Sequence, residues 1–168
     1  MSTHDETLAR NARITLEAAC GLTAGQTLAI CTRRSNHAYA KEEKVVSYVK
    51  ALCREAVALG AHPVVIDVTE FLAGPGYAAG KIIPSVGQAL RAADTVINTM
   101  DDVGFSRLIG RQDNDDEFLT ARGRWVFLQA NGMEHWNLDP HLVRAIRPRT
   151  EKLIELLVDA RDVHVTTA

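Results

Sequence analysis

The chain has 168 residues, 46% of them hydrophobic and 24% charged, which fits one globular domain and argues against intrinsic disorder. Nineteen Lys and Arg against 21 Asp and Glu leave a formal net charge of −2, so no overall attraction to nucleic acid or an anionic membrane is expected. No apolar run approaches the roughly 18–20 residues of a membrane span, and the opening Met1-Ser-Thr-His-Asp-Glu6 is polar and acidic where a signal peptide would be basic and then apolar.

Thr3-His-Asp-Glu6 has the form of a capping box and predicts a helix start. Leu8, Ala12, Leu16 and Ala19 follow at helical spacing, and Gly21 stands where a helix ends. Thr27–Cys31 is short and apolar, a buried strand. Residues 38–59 read as a long helix with Val45, Val49, Leu52, Cys53, Ala56 and Leu59 on one face and Gly60 closing it. Val64–Val68 is β-branched and nearly continuous in apolar character, as a strand covered on both faces would be.

The unit then recurs. A helix from Pro84 to Ala93 precedes the strand Thr95–Thr99. Residues 101–116 are polar, and a short helix from Asp115 to Ala121 is expected before the strand Trp125–Gln129. Asp139-Pro140 supplies a cap and a proline at the first helical position. Pro148 predicts a kink or restart, with helix onward to Ala160, and Val163–Thr167 is a fifth strand. Alternating strands and helices predict right-handed crossovers. The expected fold class is α/β, a mainly parallel five-stranded sheet with helices on both faces, a Rossmann-like three-layer sandwich. Residues 1–168 form a single α/β domain in this reading. A chain that closes on a strand looks cut at a boundary, so a second domain is expected beyond it.

In such sheets ligands bind beyond the C-terminal ends of the strands. The loop after the first strand, Thr32-Arg-Arg-Ser-Asn-His37, has no glycine for a dinucleotide and no acidic residue for a receiver site, and a P-loop is absent. Arg33, Arg34 and His37 could bind an anion or carboxylate; the alternative is a solvated loop. Asp101 and Asp102 follow the third strand and suit acid–base chemistry or hard-metal ligation, or else act as caps.

Gln129-Ala-Asn-Gly-Met-Glu-His-Trp136 is the most unusual segment, with amide, carboxylate, imidazole and indole groups in one loop. Gln129, Asn131, Glu134 and His135 join Arg33 and Asp101 as candidate substrate-binding residues. The structural alternative buries Trp136 and uses Asp139 as a cap. Glu134 and His135 are adjacent, and with Asp139 and His141 they lack the spacing of a zinc helix, so no metal ligand is assigned. No catalytic residue is assigned either. Cys31 lies beside two arginines that would lower its pKa, yet it reads better as a small core residue. Cys20, Cys31 and Cys53 form an odd set without a CxxC pair, which points to free thiols in a reducing cytoplasm.

Four stretches carry a family resemblance. Ala9-Arg-Asn-Ala-Arg-Ile14 with Gly21-Leu-Thr-Ala-Gly-Gln26 and Leu28-Ala-Ile30 resembles the opening of the thermophilic metallo-aminopeptidases, the aminopeptidase T and S group. Arg54-Glu-Ala-Val-Ala-Leu-Gly-Ala61 before Val64-Val-Ile66 is similar to that group's helix–Gly-Ala–strand step. Ala89-Leu-Arg-Ala-Ala-Asp94 with Val96-Ile97 also matches, and Arg149-Thr-Glu-Lys-Leu153 through Val165 resembles the end of its N-terminal domain. The segment Ala92–Met100 is similar as well to the 2,5-dihydroxypyridine 5,6-dioxygenases, and aromatic-ring aminohydrolases share the scaffold.

The resemblance implies the N-terminal domain of a metal-dependent aminopeptidase-like hydrolase. Its divalent metal (zinc, cobalt or iron) would be held in a C-terminal domain absent from this chain, with no cofactor bound by the chain itself. It further implies a homodimer as the full enzyme, a missing catalytic domain as partner, and no nucleic-acid or membrane partner. The alternatives are the corresponding domain of a ferrous ring-cleaving dioxygenase or aminohydrolase, and a non-catalytic ligand-binding or interaction module.

Overall fold

The computed structural model describes residues 3–33, 41–69, 84–99, 124–128 and 133–158. Helix α1 (Thr3–Ile14) runs into a π-helical turn (Thr15–Ala19), and strand β1 (Thr27–Thr32) follows. Helix α2 (Glu42–Ala58), strand β2 (His62–Asp67), helix α3 (Pro84–Ala92) and strand β3 (Thr95–Asn98) come next. Strand β4 (Arg124–Phe127), a 3-10 turn (Met133–His135) and helix α4 (Pro140–Leu157) complete the order.

The strands form a parallel sheet in the order β2-β1-β3-β4. Strand β1 lies at its centre, with Ile30 opposite Val65 on one side and Ile97 on the other. Because strand side chains alternate between faces, Leu28 and Ile30 enter one layer and Ala29 and Cys31 the other. The first layer packs against α1 and α2 through Leu8, Ala12, Leu16, Val45, Tyr48 and Leu52. The second packs Val86, Leu90 and Ala93 of α3 against Ala29, Cys31 and Val96. Helices therefore cover both faces, as the alternating pattern predicts.

Three expectations change. The described residues hold four strands rather than five; the expected strand at Val163–Thr167, like the helix at Asp115–Ala121, lies outside them. Strand β2 is not covered on both faces. Among the described residues it is outermost in the sheet, and Val64 and Val65 are 47% and 44% exposed. Helix α4 runs through Pro148 without interruption. A proline removes one backbone donor, but Pro148 is exposed, so water can reach the acceptor that donor would have served.

Glycines close the helices where the sequence places them. Gly21 has φ 59° and Gly60 φ 78°, in the left-handed region that disfavours a Cβ. At Gly60 the Schellman pattern closes the helix, with Ala61 N donating to Ala56 O (3.0 Å) and Gly60 N to Val57 O (2.9 Å); at Gly21, after the π-helical turn, Leu22 N reaches one residue further back, to Leu16 O (2.9 Å). The two corners are also joined. Gly25 N donates to Gly60 O at 2.9 Å and His62 N to Gln26 O at 2.8 Å. Asp94, after α3, ties in the third corner: its N donates to Thr27 O (3.1 Å) and its Oδ2 accepts from Thr27 N (2.8 Å). All three meet at the N-terminal edge of the sheet.

Candidate functional site

The connections from β1 run first to β2 and then across to β3, so the strand order reverses between β1 and β3. Ligands of open parallel sheets bind at such a point, beyond the C-terminal ends of the strands. There β1 ends in Thr32 and Arg33, and β3 in Asn98 and Thr99. Thr32 and Thr99 are buried with their hydroxyls hydrogen-bonded to each other at 2.9 Å, and Thr99 N donates to Cys31 O at 3.0 Å. The two threonines close the end of the sheet here. Beside them, Asp67 Oδ1 accepts from Thr69 N (3.0 Å) and Thr69 Oγ1 (2.5 Å), which ends β2 in a local turn.

Arg33 is half-buried at this edge. Arg34, His37, Asp101, Asp102, Gln129 and Asn131 lie outside the described residues, so of the six candidate binding residues the structure places Arg33, Glu134 and His135.

Glu134 and His135 differ in burial while staying within reach of each other. The 3-10 turn after β4 sends the Glu134 side chain inward, 2% exposed, and leaves His135 77% exposed, its Nε2 3.7 Å from Glu134 Oε1. Glu134 Oε1 accepts from Lys44 Nζ at 2.6 Å, and Oε2 accepts from the Tyr48 hydroxyl. The same Tyr48 oxygen accepts from Met133 N at 2.6 Å. Lys44 and Tyr48 stand one helical turn apart on α2, so one face of that helix grips the turn.

Burial alone would raise the Glu134 carboxyl. The hydrogen bonds from Lys44 and Tyr48, with the lysine charge, outweigh it and hold the group at about 2. The Tyr48 hydroxyl is pushed up from its ordinary value, by burial first and then by its bond to Glu134. A carboxylate held this low and a phenol held this high do not exchange protons near neutral pH, so the pair is a brace rather than an acid–base couple.

From the other side, α1 holds the same segment. Asn11 Nδ2 donates to Met133 O and to Trp136 O, both at 2.7 Å, and Arg10 Nη2 donates to Leu138 O at 3.1 Å. Trp136 is half-buried against the core, and Asp139 Oδ1 caps α4 by accepting from His141 N at 2.8 Å. For the described part of Gln129–Trp136 and the cap that follows, the structural alternative therefore fits the geometry.

A small cleft of about 110 Å³ lies beside this brace, lined by Leu8, Glu43, Lys44, Ser47 and Tyr48. Small-molecule sites usually enclose about 300–1,000 Å³, so it has room for a few waters or one small polar group. Cys31 is also inert: it is fully buried, and its thiol is pushed up to about 12 by burial and, secondarily, by the charge of Asp67. The thiolate-favouring influence expected from the arginines is overturned, because the side chain enters the core of the sheet instead of the loop. Among the described residues no group of three or more His, Cys, Asp or Glu is gathered so as to hold a metal ion, and no helix is long and apolar enough to cross a membrane.

Sequence reading missed Lys44, Tyr48 and Asn11. Tyr48 lies on the apolar face of α2, where a buried hydroxyl needs a partner, and Asn11 adjoins Ala12 in the buried stripe of α1. A polar group on a core face was the available signal, although it does not name the partner.

No protein-family model and no curated protein matches the chain. Among solved structures it is similar to "Wild-type AmpT from Thermus thermophilus", with a TM-score of 0.43 and 13% sequence identity. The similarity covers 74% of this chain and 36% of that one, so the chain spans about a third of that structure's length.

Proposed function

We propose that this chain is the N-terminal α/β domain of a metal-dependent aminopeptidase-like hydrolase whose metal site belongs to a C-terminal domain beyond these residues. One observation carries the reading. The segments that resemble the metallo-aminopeptidases, Gly21–Gln26, Gly60–Ala61 and Ala89–Asp94, are dispersed in sequence yet meet at one edge of the sheet, Gly25 bonding to Gly60 and Asp94 to Thr27, the residue after Gln26. They form one connected frame at the edge where the parallel strands begin.

Among the described residues no set of His, Cys, Asp or Glu side chains fits a metal ion. What this chain contributes is shape. Its sheet presents an edge closed by Thr32 and Thr99, and the Tyr48–Glu134 brace and Asn11 hold the turn after β4 in place.

The test begins with the mass of the natural product, detected by an antibody raised to residues 1–168. A product well above 18.4 kDa that releases N-terminal amino acids from peptides when loaded with metal is expected. Oxygen uptake with dihydroxypyridine, without peptide turnover, would move the parent enzyme to the ring-cleaving branch. A product of 18.4 kDa without turnover would leave a binding module.

A further inference from the structure

We draw no further inference here: the strongest candidate, the cleft of about 110 Å³ between α1 and α2 that Leu8, Glu43, Lys44, Ser47 and Tyr48 line, belongs to the site already described, its Tyr48 hydroxyl being taken up by Met133 and Glu134 and its Lys44 ammonium by Glu134.

Discussion

Tyr48→Phe removes one oxygen from a buried, branched network and nothing else. That oxygen accepts from Met133 N and donates to Glu134 Oε2, so the variant strands a backbone donor and one side of a carboxylate that is 2% exposed. Each buried polar group left without its partner costs about 1–3 kcal/mol, and the phenyl ring keeps its place in the apolar core, so the loss should be about 2–4 kcal/mol. With a urea m-value of about 2 kcal/mol per molar, the unfolding midpoint should fall by about 1–2 M. Far-UV circular dichroism should stay unchanged, because the helix itself loses no backbone bond. A midpoint within about 0.3 M of the parent would refute the reasoning, since water would then be reaching both groups and the brace would not be dry.

Acid stability follows from the same carboxylate. Glu134 is held at about 2 in the folded chain, below its unfolded value near 4.3, so the unfolded state takes up the proton first. The resulting stabilisation, about 3 kcal/mol, is fully present above about pH 4.5 and is lost as pH falls towards and through 2. Glu134→Gln should be the less stable protein at pH 6 and should lose less on going to pH 3; identical acid slopes in urea titrations would contradict this. The glycine corners give a paired test. At Gly25 (φ 80°) an added Cβ would have nothing within 4 Å, whereas at Gly60 (φ 78°) it would come 3.1 Å from Ala24 Cβ. Gly25→Ala should cost about 1 kcal/mol from backbone conformation alone, and Gly60→Ala about 1 kcal/mol more, read as the lower melting temperature of the two. Equal melting temperatures would mean that the Ala24 loop yields freely.

The parts of the fold legible in the sequence are those governed by local patterns. The apolar stripe of α2, the β-branched run of β3, Gly21, Gly60 and Asp139-Pro140 each act within a few residues of themselves, and each element or cap lies where the pattern puts it. The exposure of β2 was not legible. Val64 and Val65 look the same on a central strand as on an outer one, and only the order of strands in the sheet distinguishes the two. The continuity of α4 through Pro148 was hidden for a related reason, since the cost of a missing donor depends on whether water reaches the abandoned carbonyl.

The site was legible only as a set of chemically able residues. Glu134 was singled out for its carboxylate, but its role depends on Lys44 and Tyr48, some ninety positions away, and on the turn that buries it while leaving His135 exposed beside it. Cys31 shows the same limit. Its neighbours in sequence are cations, while its neighbours in space are apolar side chains and Asp67, and the spatial set decides its chemistry.

The joined corners at the N-terminal edge have a consequence for how such a frame can diversify. Bonds between Gly25 and Gly60, Gln26 and His62, and Thr27 and Asp94 pin the register of β1, β2 and β3 from one end, and a slip of one residue would turn every side chain to the wrong face. With alignment secured there, the loops leaving the far ends of the strands carry little responsibility for it. Doubling the length of such a loop adds only about 0.6 kcal/mol of closure entropy, so insertions at that edge are cheap to accept. One edge therefore holds the register of the three strands, while the other can take longer loops without disturbing it.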